Sequence, residues 1–199
     1  DRYYQSNVVD YSQTTADKSN YKLFMGSIRF EKNTLNSFMF PVSGNSISVV
    51  GEAVYGKEYY YASEGKEISK RSTNKNKHSW LQLTGQTNHY LNLSQKFTFG
   101  IRSEIVLSSK GFFDNYTSTI IQAPAFTPTP HSKMVFNEAF RATQYIAAGV
   151  LPIWKIVNKL QLRTELYGFA PFYKIKRGEN NKPYYGKFMN SFEIGRAHV

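Results

Sequence analysis

The stretch "QKFTFGIRSEIVLSS" (Gln95–Ser109) alternates apolar and polar residues, and "NKLQLRTELYGF" (Asn158–Phe169) repeats that alternation. Each stretch places an Arg-x-Glu pair at its polar positions. The two pairs are Arg102 with Glu104, and Arg163 with Glu165. Because successive side chains of a strand point to opposite faces, each stretch predicts a strand with one apolar face and one charged face.

The same alternation predicts strands along most of the chain. Tight turns are predicted at Ser94–Gln95 and at Asn158–Lys159, and a long loop is predicted from Ser108 to about Arg141. No segment shows a convincing helical period. The predicted strands are Tyr21–Phe30, Ile47–Tyr61, His78–Leu93, Phe97–Leu107, Ala142–Ile156, a strand through Leu160, Leu162 and Leu166, and Tyr184–Phe192.

Strand length and connection length decide the predicted architecture. Several predicted strands exceed ten residues, whereas soluble-domain strands average about five or six. Tight turns alternate with long polar loops, which is typical of outer-membrane barrels. We therefore predict an all-β fold: an antiparallel up-and-down transmembrane β-barrel, of which this chain supplies about seven strands as an open curved sheet.

In such a barrel the apolar face meets lipid, and the Arg-x-Glu pairs face the lumen, where charges cost little. Opposite charges on neighbouring strands would stabilise one another there. The alternative is a soluble β-sandwich in which the same charged face is solvated. Because the chain supplies only part of a barrel, both sheet edges are expected to lack partners, and the chain alone is expected to aggregate in water.

Composition narrows the possible functions. The 199 residues include no Cys and carry a net charge of +11, so a disulfide framework and a thiolate metal site are excluded. The basic residues are scattered rather than clustered on one face, and no nucleic-acid partner is predicted. The histidines have no metal-ligand spacing, and no phosphate-binding glycine loop occurs. We predict no metal and no cofactor.

Several segments resemble known outer-membrane proteins. "NTLNSFMFPVSGNSISVV" (Asn33–Val50), with Phe40, Pro41 and Gly44, resembles the strand–turn–strand element of bacterial surface-antigen barrels. "HSWLQL", "NYTSTIIQAPAFTPTPHSKMVFNEAFRATQYIAAGVLPIWKI", "LRTELYGFAP" and "YYGKFMNSF" are similar to the C-terminal region of patatin-like phospholipases from Bacteroidota. In that family a patatin hydrolase domain precedes a barrel of the surface-antigen type.

The resemblance implies a lipid acyl hydrolase tethered to an outer-membrane barrel of a Gram-negative bacterium. Patatins carry their nucleophile in Gly-x-Ser-x-Gly, as lipases do, and this chain contains no such motif. We assign no catalytic residue here, and the expected partners are outer-membrane lipid and a patatin domain upstream in the same chain.

The resemblance also implies a role for Arg141. Surface-antigen barrels fold a long loop into the lumen, and an Arg at the loop tip meets an acidic residue of the wall. Arg141, in "EAFRATQYIAAG", is the candidate, although Ala142 stands where the family has Gly. Glu104 and Glu165 are the expected partners, through a charge-assisted fork. The alternative is that Arg141 simply begins a strand.

The two chain ends are interpreted separately from the barrel region, residues 21–192. Residues 1–20 are polar and lack a period, which predicts a loop or linker. The tail "EIGRAHV" (Glu193–Val199) can be encoded by the common short-read sequencing adapter read in frame. We therefore expect residues 193–199 to be non-native, like any fusion scar.

Three functions remain open. The first is the barrel of a patatin-like phospholipase, acting as membrane anchor and as a conduit. The second is the surface-antigen barrel of an outer-membrane assembly or secretion machine. The third is a soluble all-β binding module. Upstream coding sequence separates the first two, and dependence on detergent separates the third.

Overall fold

A computed structural model of the chain describes residues 18–61, 73–129, 131–157 and 160–198. One short helix, α1 (Tyr116–Gln122), and 3-10 turns at His131–Lys133, Glu138–Phe140 and Glu179–Asn181 interrupt a chain of strands. The strands are β1 (Lys18–Asn33), β2 (Gly44–Tyr61), β3 (Thr73–Asn92), β4 (Phe97–Ser108), β5 (Tyr145–Val157), β6 (Leu160–Pro171), β7 (Tyr173–Arg177), β8 (Pro183–Phe188) and β9 (Glu193–His198).

Seven of these strands form one antiparallel sheet in the order β1-β2-β3-β4-β5-β6-β9. The sheet is open, with β1 and β9 as its edges. Strands β7 and β8 form a separate two-stranded sheet. The predicted all-β class and the open seven-stranded sheet are therefore confirmed.

Two boundaries near the C-terminus differ from the prediction. The strand predicted over Tyr184–Phe192 ends at Phe188, because Met189 takes a φ of 45°, a left-handed conformation that ends extended pairing. That strand joins β7 rather than the large sheet. The seventh place in the sheet is taken by β9, which lies in the predicted tail and pairs with β6 from Phe169 back to Thr164. The non-native origin of the tail stays a prediction.

The turn at Ser94 and Gln95 has its predicted place, since the amides of Leu93 and Ser94 both donate to the carbonyl of Phe97. The turn predicted at Asn158–Lys159 lies outside the described residues, as does most of the predicted N-terminal loop. The predicted long loop is partly helical, because α1 forms within it.

The sheet has two faces of opposite character. One face, here called the covered face, is buried and carries Thr98, Glu104, Ile153, Glu165 and Phe169. The other face, here called the bare face, is apolar and uncovered. Its exposed residues include Phe24, Ile28, Phe30, Ile47, Val49, Tyr55, Leu81, Leu83, Leu91, Leu93, Ile101, Ile105, Leu107, Ile146, Val150, Trp154, Leu162 and Leu166.

The connection between β4 and β5, residues 109–144, lies over the covered face and is called the covering segment below. Phe126 packs on Tyr145, Tyr167 and Phe169 of β5 and β6. Phe113 packs on Trp80 and on Tyr21, near the far end of the sheet. The aromatic rings of this segment thus build the hydrophobic core.

Two glycines of the covered face admit tyrosine rings from the neighbouring strand. Tyr90 lies directly opposite Gly100, and Tyr167 lies directly opposite Gly149. A Cβ at Gly149 would overlap Cδ1 and Cε1 of the Tyr167 ring. Each ring therefore lies close against the glycine, and this close approach requires the absence of a side chain.

Candidate functional site

The first predicted pair, Arg102 and Glu104, forms a polar cluster on the covered face. Nη2 of Arg102 lies 3.8 Å from Oε2 of Glu104. Gln86 on β3 donates to the same carboxylate at 3.0 Å, and Tyr145 on β5 donates its hydroxyl at 2.5 Å. Nη1 of Arg102 donates to the carbonyl of Pro128 at 2.8 Å, so the pair also holds the covering segment to the sheet.

The second predicted pair, Arg163 and Glu165, is also buried on the covered face, but its members have separate partners. Nη2 of Arg163 donates to the carbonyl of Pro41 at 2.5 Å, and its guanidinium lies over the ring of Phe40. Glu165 accepts a hydrogen bond of 2.6 Å from Tyr167 on its own strand. Arg163 thus joins β6 to the loop between β1 and β2.

That loop contains the Phe-Pro-x-x-Gly motif. Gly44, its last residue, has a φ of +95°, and a Cβ there would collide with the backbone of Thr34. Only glycine adopts this conformation without strain. The motif therefore has a physical role: it turns the loop so that the carbonyl of Pro41 meets Arg163.

Arg141 lies at the end of the covering segment, a few residues before β5 begins. Its Nη1 donates to the carbonyls of Ile121 and Ala123 at 2.8 and 3.0 Å, where α1 ends. Its guanidinium also lies over the ring of Phe136. A cation at this position satisfies carbonyls that the helix leaves unpaired. The fork from Arg141 to Glu104 or Glu165 stays a prediction.

A further buried carboxylate, Glu58 on β2, was not among the predicted site residues. It is fully buried and lies 2.9 Å from Nε2 of His78 on β3. The backbone amide of Asp114 donates to it at 3.2 Å. Glu58 thus fixes the covering segment to the first strands of the sheet, as Arg102 does to the middle strands.

Lys110 is buried where the covering segment leaves β4. Its Nζ donates to the carbonyl of Gln122 at 2.5 Å and lies 4.5 Å from the centroid of the Trp80 ring. Burial lowers the pKa of Lys110 to about 8, and the negative charge of Glu52 opposes that shift. A carbonyl and two aromatic rings stabilise the ammonium in place of water.

These contacts define anchors rather than a reaction centre. Arg102, Arg163 and Glu58 join loops to the sheet. Arg141 and Lys110 bond to carbonyls within the covering segment, and Glu104 and Glu165 accept from side chains of the sheet itself. Sequence periodicity placed Arg102, Glu104, Arg163 and Glu165 on one face, and the structure puts all four there. It could not show Glu58 or Lys110 as site residues, because their hydrogen-bond partners lie between 12 and 56 residues away in the sequence.

Across the residues that the structure describes, no group of three His, Cys, Asp or Glu side chains is arranged to hold a metal ion. The described helices are all too short or too polar to cross a membrane. Comparison of the chain with protein-family models, with curated proteins and with solved structures gives no match.

Proposed function

We propose that this chain is the membrane-embedded part of an outer-membrane β-barrel, with its bare face toward lipid and its covered face toward the lumen. One observation carries this proposal: the bare face of the sheet is apolar and exposed, while charged side chains are buried on the covered face. Apolar side chains such as Phe24 and Ile28, 77% and 83% exposed, cover the bare face, while Glu104 and Arg163 are each 5% exposed.

A water-soluble sandwich buries its apolar face, because burial of apolar area is the main favourable term in folding. An uncovered apolar face that extends over six neighbouring strands exceeds the patches that soluble monomers expose. In a bilayer, exposure of the same apolar face to lipid carries no free-energy cost, and the lumen side of a barrel tolerates charged side chains. The exposed apolar face therefore favours a membrane location over a soluble module.

Strand length supports the same proposal. The six strands β1 to β6 contain between 12 and 20 residues each. A tilted transmembrane strand needs about 9–11 residues, so each of the six is long enough. In a closed barrel the open edge at β1 would pair with a further strand, and β6 would pair with a native strand in place of the tail strand β9. Such closure satisfies all backbone groups in lipid.

The proposal extends to the parent protein through the sequence resemblance alone. We propose a patatin-like phospholipase, in which an upstream lipid acyl hydrolase is anchored by this barrel. The covered face is occupied by the covering segment, and movement of that segment would be required for any conduit role.

A second candidate is the surface-antigen barrel of an assembly or secretion machine. The contact between Arg163 and the carbonyl of Pro41 favours this class as well, because it gives the Phe-Pro-x-x-Gly motif a structural role. Sequencing the gene upstream of this chain distinguishes the phospholipase from the assembly machine. A domain with Gly-x-Ser-x-Gly and a partner Asp supports the phospholipase, whereas periplasmic repeats support the assembly machine.

The two tryptophans provide a test of the membrane orientation. Trp154 lies on the bare face and is 41% exposed, whereas Trp80 is buried on the covered face. The 199-residue chain is refolded into phosphatidylcholine vesicles with bromine on the acyl chains, as the variants Trp80→Phe and Trp154→Phe. We expect strong quenching of Trp154 and weak quenching of Trp80.

Equal protection of both tryptophans from brominated lipid would contradict the proposal. So would a chain that stays monodisperse and protease-resistant without detergent, which is the behaviour of a soluble binding module. Because each variant retains one tryptophan, the two signals are measured separately, and the buried residue is the internal control for non-specific quenching.

A further inference from the structure

Three lysines lie side by side on the bare face of β1, β2 and β3. Lys22 is the register partner of Lys57, and Lys57 is the register partner of Lys77. Neighbouring strands are about 4.8 Å apart, so three ammonium-bearing side chains leave the sheet in one line. Like charges directly opposite each other destabilise a sheet.

Further basic and aromatic side chains extend this line toward the end of the sheet at which β2 ends and β3 begins. Tyr59 lies between Lys22 and Lys75, whose Nζ atoms are 6.0 and 5.8 Å from its ring centroid. We call Lys22, Lys57, Lys75 and Lys77, together with Tyr59, the lysine row. Its members share the bare face with Phe24 and Tyr55.

No acidic side chain of these three strand ends balances the lysine row within the described residues. The acid nearest in sequence is Glu58, which points to the covered face and is held there by His78 and by the amide of Asp114. The row is therefore an unbalanced positive patch. An anion from outside the chain that lies against the row would offset the repulsion among its ammonium groups.

The position of the lysine row identifies that anion. The row follows Phe24 and Tyr55 by one alternate step, about 7 Å along the strands. If the apolar residues of the bare face lie in the hydrocarbon, the row lies at the level of the lipid headgroups. Tyrosine is enriched at the same level in membrane proteins.

We propose that the lysine row binds the phosphate-monoester headgroup of an anionic membrane lipid. A phosphate monoester is a compact, doubly charged acceptor, and several lysine ammonium groups can donate to it together. The Tyr59 hydroxyl, at the same level, supplies a further donor. This inference rests on the proposed membrane location and adds a lipid class that the barrel selects at one end of β1 to β3.

Brominated lipids test the inference with a local reporter. Tyr55→Trp in the background Trp80→Phe and Trp154→Phe places one tryptophan on the bare face beside the row. Quenching by brominated phosphatidic acid is compared with quenching by brominated phosphatidylcholine, in otherwise identical vesicles. We expect a several-fold preference for phosphatidic acid at position 55, and a preference near one at Trp154 in the Trp80→Phe variant.

The triple variant Lys22→Gln, Lys57→Gln and Lys77→Gln is expected to reduce the preference at position 55 to near one. It removes repulsion and leaves the core intact, and quenching by brominated phosphatidylcholine verifies that it is still inserted. The matched control is the triple variant Lys32→Gln, Lys96→Gln and Lys155→Gln. It removes the same charge at the opposite end of the sheet, where the Ser94–Gln95 turn lies, and is expected to retain the preference.

Equal quenching by both lipids at position 55 would overturn the inference, and quenching of Trp154 by brominated phosphatidylcholine would still support the membrane location. Loss of the preference in both triple variants would also overturn it, because net charge rather than the row would then be responsible. Absence of quenching at both positions by either lipid would overturn the membrane location itself.

Discussion

The hydroxyl of Tyr145 donates a 2.5 Å hydrogen bond to the buried carboxylate of Glu104 on the adjacent strand. Both side chains are nearly inaccessible, 1% and 5% exposed. The same tyrosine ring packs against Phe126 and Phe169. Tyr145 thus joins the polar cluster of the covered face to the hydrophobic core. A substitution that removes only its hydroxyl separates the effect of the hydrogen bond from the effect of the ring packing.

Tyr145→Phe retains the ring and removes the donor. Glu104 then retains Gln86 and Arg102 but loses its shortest hydrogen bond. We expect the free energy of unfolding in detergent micelles to fall by about 1–3 kcal/mol, the usual result of leaving a buried acceptor unsatisfied. Urea titration followed by tryptophan fluorescence measures this. Tyr55→Phe, on the bare face, is the control, and an equal loss there would contradict the explanation.

Gly149→Ala tests the close approach between β5 and β6. The added methyl group would overlap the ring of Tyr167, which in turn holds Glu165. We expect destabilisation of about 1–3 kcal/mol, as is typical of overpacking, measured by the same titration. Gly51→Ala is the matched control within a strand, because a Cβ at Gly51 meets no atom within 4 Å. Similar losses at both positions would indicate a backbone effect instead.

Much of the sheet could be predicted from period-two alternation, because each strand keeps its apolar and polar sets on fixed faces. Leu162 and Leu166 lie on one face and Arg163 and Glu165 on the other, as the sequence predicts. Alternation says nothing about which face is covered. The covered face depends on where the connection between β4 and β5 packs. Phe113 and Phe126 make that packing, and they stand in no periodic pattern that would predict it.

The helix α1 was missed for a related physical reason. Its seven residues are too few to show a helical period, and helices of this length depend on capping and tertiary packing. Asn115 accepts from the amide of Ser118 as an N-cap, and Ile120 is buried. The spacing of Asn115 and Ser118 was the available local signal. Strand β9 shows no alternation, and its pairing with β6 is a tertiary effect.

Lys110, which lies in the covering segment, gives the stability of the chain a dependence on pH. Burial lowers its pKa from 10.5 to about 8. Between these values the unfolded chain binds the proton and the folded chain does not, so the free energy of unfolding rises with pH through this window. The contribution is at most about 3 kcal/mol, from 1.36 kcal/mol per pKa unit. Below pH 8 both states are charged, and the full desolvation cost remains.

The measurement is the free energy of unfolding from below pH 8 to above pH 10.5, for the natural sequence and for Lys110→Met. The difference between the two curves isolates Lys110 from other groups that titrate there. We expect the curve of Lys110→Met to be flatter. Lys133→Met, an exposed lysine of the same covering segment, is expected to leave the slope unchanged, and a flattened slope in that control would contradict the assignment.

Glu58 is expected to hold the covering segment closed over the first three strands. Glu58→Ala removes the acceptor for the Asp114 amide and the partner of His78, while the packing of Phe126 on β5 and β6 is untouched. We therefore expect local opening rather than global unfolding, because these contacts belong to different parts of the core. Trypsin cleavage after Lys133 and after Lys110 should become several-fold faster in micelles, whereas cleavage in β4 should not.

Glu31→Ala removes an exposed carboxylate of β1 and serves as the charge-matched control. Unchanged cleavage in Glu58→Ala would show that Phe113 and Lys110 hold the segment without the carboxylate.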